Sequence, residues 1–235
     1  MSQLIIVRPE PGATTTLLAA RSLGLDAHAH PIFALRALPW TPVPREEVDA
    51  LILGSANAIR HGGATLHDLR GLPAYCVGQT TADAAHAAGF PVARIGTGGL
   101  QHVLNALAPE HRRLLRLAGV SHVPLMLPVG VTMETRAVYE SVAIPMGKPL
   151  DQALKHPAVV MLHSGDAARH FASICNGAGV ERSRIALALI GPRVAHVAGE
   201  GWASVQTAEL PSDAALLALA RRMCQDAAGG AEIAQ

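Results

Sequence analysis

Short aliphatic and β-branched runs alternate with Ala-rich stretches along the whole chain. The runs LIIV (4–7), DAHA (26–29), ALIL (50–53), AYCV (74–77), VARI (92–95), LLRL (114–117), VVML (159–162), LALI (187–190) and SVQT (204–207) predict strands. The stretches near 12–22, 55–62, 80–88, 99–107, 165–175, 192–199 and 211–224 predict helices. The strand runs are continuously apolar and do not alternate in and out. Parallel strands covered by helices on both faces read this way. Strand followed by helix throughout predicts an α/β chain with doubly wound parallel sheets.

The pattern also repeats. ILGSANAIRH (52–61) and MLHSGDAARH (161–170) match at Leu53/Leu162, Ser55/Ser164, Ala58/Ala167, Arg60/Arg169 and His61/His170, 109 residues apart. A second pair follows 113 residues apart, with Gly78 against Gly191 and Ala82 against Ala195. Two ordered matches at near-equal spacing predict two similar lobes. Pro-rich extended stretches at 31–44 and 136–149 precede the two copies and read as linker strands. The expected organisation is a discontinuous first lobe (1–34 plus 146–235), a second lobe (40–137) and linker strands at 35–39 and 138–145. A two-stranded crossover implies a hinge, with a ligand cleft between lobes.

Composition narrows the function classes. Of 235 residues, 50% are hydrophobic and 16% charged, which excludes a disordered chain. Aromatics at 3% argue against stacking platforms for single-stranded nucleic acid. A net charge of +1 with no basic run removes nucleic acid as a partner, so any anion must be held by local features. No apolar run approaches a membrane span or a signal-peptide core, so a cytoplasmic protein away from the membrane is expected. Cys76, Cys175 and Cys224 form no CxxC pair and read as buried small hydrophobes.

The candidate chemistry clusters at strand-to-helix turns. Ser55 and Ser164 stand where a hydroxyl caps a helix, and such a helix start suits a carboxylate or phosphate. Ala56 and Asn57 follow the first cap, and Gly165 follows the second. The turns Gly78-Gln79-Thr80-Thr81 and Gly191-Pro192-Arg193-Val194 offer close backbone approach at Gly78 and Gly191. They also offer donors for carboxylates at Thr80, Thr81 and Arg193. Gly96-Thr97-Gly98-Gly99 fails the GxGxxG fingerprint at Gln101 and reads as a flexible loop, against a nucleotide-sugar transferase. His28 and His30 share a strand face, with no carboxylate cluster near them and no HExxH anywhere, so no metal is expected. His61 and His170 read as surface or lobe-packing residues. Tyr139, one of two tyrosines, lies in the second linker, where a phenol can donate a proton to a leaving oxygen.

VRP at 7–9 (with Arg8), SANA at 55–58, VGQTTA at 77–82, VYES at 138–141, Ser164 and IGP at 190–192 occur in one order over nearly the whole chain. Together they resemble the uroporphyrinogen-III synthase family. The resemblance implies two α/β lobes on a two-stranded linker, working without a cofactor as a monomeric lyase. The implied substrate is hydroxymethylbilane, a linear tetrapyrrole with eight side-chain carboxylates, handed over from hydroxymethylbilane synthase. Water leaves its hydroxymethyl end, ring D inverts through a spiro intermediate, and the macrocycle of haem and related pigments closes. By the same resemblance Tyr139 is the acid candidate, and Thr81 and Ser164 line the cleft. Two places depart from the family pattern. Arg193-Val194 stand for a Thr-Thr pair, and residues 118–135 lack an Arg-Gly at the strand end. The competing reading is a non-catalytic two-lobed binder of carboxylates or tetrapyrroles.

Overall fold

A computed structural model describes residues 2–232, with side chains described up to residue 226. The chain divides into two compact units. Unit 1 takes the chain up to Ala34 and again from Val142, and unit 2 is Leu35–Ser141.

Unit 1 holds β1 (Gln3–Ile6), α1 (Gly12–Ser22) and β2 (Ala27–Ala29). The chain leaves along β3 (Phe33–Ala37). Unit 2 then contains β4 (Ala50–Leu53), α2 (Ala56–His61), β5 (Ala74–Val77), α3 (Gln79–Ala87), β6 (Val92–Gly96), α4 (Leu100–Leu104) and β7 (Arg113–Gly119). Strand β8 (Thr132–Ala143) carries the chain back. Unit 1 is completed by α5 (Lys148–Ala153), β9 (Ala158–Leu162), α6 (Gly165–Gly177), β10 (Ile185–Leu189), α7 (Pro192–Ala198), β11 (Ser204–Thr207) and α8 (Asp213–Glu232).

Unit 1 has the sheet order β11-β10-β9-β1-β2, all parallel. Unit 2 has β6-β5-β4-β7-β8, also parallel, with β3 added at the edge. Backbone bonds from Leu38 N to Val138 O and from Ile144 N to Ile32 O set β3 antiparallel to β8. In each sheet the strand order reverses once, between β9 and β1 and between β4 and β7. Loops at the carboxyl ends of strands diverge there and leave a crevice.

Helices cover both faces of each sheet, as the apolar runs predict. In unit 1, Ile5, Val160, Leu162 and Leu187 pack against Phe171 and Cys175 of α6 and Val194 of α7. The opposite face sets Leu4, Ile6 and Met161 against Ala13 and Ala20 of α1 and Leu216 and Ala220 of α8. In unit 2, Leu51, Leu53, Leu115 and Leu117 meet Ala58 of α2 and Ala82 and Ala85 of α3. On its other face Ile52, Tyr75 and Leu114 meet the short α4 through Val103 and Leu104.

Several elements differ from expectation. Strands β6 and β11 are largely exposed, so double coverage stops at these edges. Strand β8 starts at Thr132, six residues before the expected linker strand, and its burial alternates as an edge-side strand requires. Helix α5 was not expected, because KPLDQA gives less than two turns of pattern. Gly96 ends β6 and residues 97–98 are a bend, with Gly98 at φ +87° and Gly99 at φ +108°, where a side chain would strain the backbone. His28 Nε2 pairs with a single carboxylate, 2.9 Å from Asp26 Oδ1, which makes no cluster.

Candidate functional site

The two Ser turns form as the sequence predicts. Ser55 Oγ accepts the Asn57 N–H at 3.2 Å, and Ser164 Oγ accepts the Ala167 N–H at 3.1 Å. Both serines have extended backbone and follow a buried strand, β4 or β9, so each cap lies beside its sheet's reversal point.

In unit 2 this corner is open. A pocket of about 270 Å³ is lined by Gly54 and Ser55 from the end of β4 and by Gly99 and Leu100 at the start of α4. Arg116 to Gly119 from β7, Ser121 to Val123 from the following loop and Tyr139 from β8 complete it. The openness has a local cause. Gly54 and Gly119 carry no side chain, and a Cβ on Gly119 would lie 2.9 Å from two ring carbons of Tyr139 and 3.2 Å from its hydroxyl. Gly119 is also the register partner of Tyr139 across β7 and β8. The missing Cβ therefore lets the phenol lie against the end of β7. The other side of the ring meets His61, with centroids 5.8 Å apart.

Arg116 is the charged member of this pocket. It is 4% exposed and stands between Leu115 and Leu117 in the buried part of β7. Its Nη1 donates to Val123 O at 2.8 Å, while its buried Nε has no acceptor among the described residues. Burial pulls the guanidinium below its ordinary pKa, and the Tyr139 phenol acts in the opposite direction. Sequence reasoning missed this residue by looking for an arginine at the strand end. The usable signal was a charge between leucines in a buried run. Beyond β7, Val120, Val123, Met126 and Val129 stand exposed, giving the rim an apolar character.

The corresponding corner of unit 1 is occupied by an ion pair and an imidazole. Arg8 follows β1 and donates from Nη1 to Asp213 Oδ2 at 2.5 Å and to Thr16 Oγ1 at 3.3 Å. Gly12 makes room for it, since a Cβ there would meet Arg8 Nε at 2.5 Å. His163 follows β9 with both ring nitrogens buried and unbonded, 3.8 Å from Asp213 at its nearest. Burial pushes its pKa down to about 4, helped by the Arg8 charge and opposed by Asp213.

The remaining candidates are distributed as follows. Ala56 is buried under its helix, and Asn57 Oδ1 accepts from Arg60 at 3.2 Å. Gly78 opens α3 at φ +75°; Thr80 is exposed, but Thr81 is buried. Gly165 and Gly191 head α6 and α7, and Arg193 is an exposed residue of α7. Ser55 and Tyr139 thus share one pocket, while Arg8 and Ser164 belong to unit 1. His170 bonds to Ile144 O at 2.9 Å and packs on Phe33. Among the described residues no His, Cys, Asp or Glu cluster is arranged to hold a metal, and no helix is long and apolar enough to cross a membrane.

The family model described as uroporphyrinogen-III synthase HemD matches residues 15–218. No curated protein matches in sequence. Among solved structures, uroporphyrinogen-III synthetase from Helicobacter pylori is 17% identical with a TM-score of 0.64, covering 95% of this chain and 100% of that one. A mutant uroporphyrinogen III synthase from Thermus thermophilus is 18% identical with a TM-score of 0.52, covering 96% and 100%. At these identities the likeness is one of fold.

Proposed function

The chain belongs to the uroporphyrinogen-III synthase family, and we propose on that footing that it converts hydroxymethylbilane to uroporphyrinogen III with loss of water. Its place is in tetrapyrrole biosynthesis. The observation that carries the proposal is the unit 2 pocket, where Tyr139, Ser55 and a buried cation converge at the β4/β7 reversal point. An apolar wall with a few fixed polar groups suits a tetrapyrrole whose rings are apolar and whose arms are acidic.

On this reading the protein's main task is positioning. A flexible linear tetrapyrrole must be held so that its two ends meet, and holding reacting groups together removes most of the entropic barrier. Tyr139 then donates its phenolic proton to the leaving hydroxyl, and water departs. The electrophile attacks the substituted carbon of the last ring; fragmentation and recombination invert that ring and close the macrocycle, and the proton lost from the ring's free α-carbon on closure restores the phenol. Ser55, Thr80 and Ser164 are proposed to receive the acidic arms with backbone N–H groups, while Asn57 and Gly78, whose N–H groups donate to Ser55 Oγ and Gly96 O, and the buried Thr81 shape the turns. Arg8 and Arg193 add charge to unit 1. We further propose a cytoplasmic monomer in which β3 and β8 are the linker, accepting substrate directly from hydroxymethylbilane synthase. The test is to supply freshly made hydroxymethylbilane and resolve the product isomers. Type III above the spontaneous background supports the reading, and type I alone overturns it.

A further inference from the structure

The two sheets share one spatial order once the sequence repeat is laid on them. Strands β9-β10-β11 correspond to β4-β5-β6, so β1 and β2 occupy the places of β7 and β8. Leu53 pairs with Leu117, and Ile6 pairs with Met161, which sets Val7 beside Leu162. Matching Leu53 to Leu162 puts Leu117 at the step of Val7 and Ala118 at the step of Arg8. Arg116 then lies two residues from that step, on the same face of its strand. Each unit therefore carries an arginine near the carboxyl end of the strand beside its Ser-capped strand, Arg116 within β7 and Arg8 just past β1.

The neutralising group differs. In unit 1 the helix after the third repeat strand is α8, and it opens with Asp213, which binds Arg8. In unit 2 the helix at that place is α4, which opens with Gly99 and Leu100 and brings no carboxylate. Arg116 is left with a neutral carbonyl on Nη1 and nothing on Nε. A buried cation without a counter-charge is destabilising, and it persists where something else needs it. Val123 O fixes the plane of the guanidinium, and Arg116 lines the pocket, so a carboxylate seated there meets a preset donor group.

We propose that Arg116 is the seat of one substrate carboxylate, the ligand's acid group taking in unit 2 the place that Asp213 takes in unit 1. This rests on the tetrapyrrole reading above. The pocket volume matches one acidic arm with part of its pyrrole, not a whole tetrapyrrole. Binding that arm beside Tyr139 places the adjoining ring within reach of the phenol.

The test uses the full chain with Arg116→Met and Arg116→Lys. The reactants are hydroxymethylbilane and a set of bilanes, each with one carboxylate arm replaced by an alkyl group. Loss of one charge-assisted bond is expected to raise KM roughly 10- to 100-fold in Arg116→Met, with kcat moved less. The decisive readout is non-additivity. One single-arm bilane should cost the native protein about that factor and cost Arg116→Met nothing further, which a merely structural arginine would not produce. If every bilane loses the same factor in native and variant proteins, the proposal is overturned. Should Arg116→Met not fold by circular dichroism, Arg116→Lys, which keeps the charge but loses the fixed fork, should show the same non-additivity with a smaller factor, and additive losses in it overturn the proposal. A native protein that yields only type I breaks the underlying reading. Type III from the native protein with additive losses breaks the Arg116 assignment alone.

Discussion

His163 and Gly54 stand at the same step of the repeat, one residue before the capping serine, and they make opposite corners. In unit 1 the step carries a buried imidazole beside the Arg8–Asp213 pair. In unit 2 it carries a glycine beside an arginine that has no counter-charge among the described residues and a pocket of about 270 Å³. The covering helix differs as well, 20 residues for α8 against five for α4. One strand scaffold thus gives an occupied corner and an open one through a few side chains. The repeat preserves the scaffold, and the side chains at the reversal point set the two corners apart.

The harshest challenge to this contrast is to copy the occupied corner into the open one. Gly54→His should lower turnover more than 100-fold, because the ring occupies the pocket and one misplaced contact of this kind costs about that factor. A Cβ at Gly54 meets the flexible Leu100 side chain at 3.0 Å, so the fold should survive, with an unaltered circular dichroism spectrum. Turnover near the native rate would separate the pocket from the reaction. Next, Tyr139→Phe keeps the ring packed on His61 and removes the phenolic proton. It should reduce kcat by ~10- to 100-fold, and an unchanged kcat would remove the hydroxyl from the mechanism.

The occupied corner is sensitive to acid. His163 is held neutral in the native state, with its pKa depressed to about 4 from an ordinary 6.5. The unfolded chain therefore takes up the proton first as pH falls. The stability is full above about pH 6.5 and declines as pH drops toward 4, by up to ~2 kcal/mol at pH 5. Denaturant midpoints between pH 7 and pH 5 should follow that slope, and His163→Gln should flatten it. The same slope in both proteins would contradict the assignment.

Gly119→Ala should displace the Tyr139 ring and cost about tenfold in kcat, since misplacement is milder than loss of the proton. Smaller still, Ser55→Ala and Ser164→Ala should each cost roughly 1 kcal/mol by removing a cap. Thermal denaturation would show it, and Ser55→Ala alone should also reduce turnover if only unit 2 holds the reacting end.

Much of the scaffold was legible because it is written in continuous apolar runs. ALIL, AYCV and SVQT coincide with β4, β5 and β11, and the Ser caps formed where a small hydroxyl residue follows a buried strand. The correspondence of β1-β2 with β7-β8 was not legible, because the first pair precedes its repeat copy and the second follows it. Sequence order does not say which parallel strands are neighbours. Arg116 stayed hidden inside an apolar run, and the early part of β8 hid in the polar alternation TMETRA. Gly54 and Gly119 matter through what they leave out, which becomes visible only once Leu100 and Tyr139 are packed beside them.

The decisive measurement is the isomer composition formed from freshly prepared hydroxymethylbilane, compared between the native chain and Gly54→His. If the open corner holds the reacting end, the native chain gives mainly uroporphyrinogen III and the variant gives the spontaneous type I isomer. Type I from the native chain, or type III in equal yield from both, would contradict it.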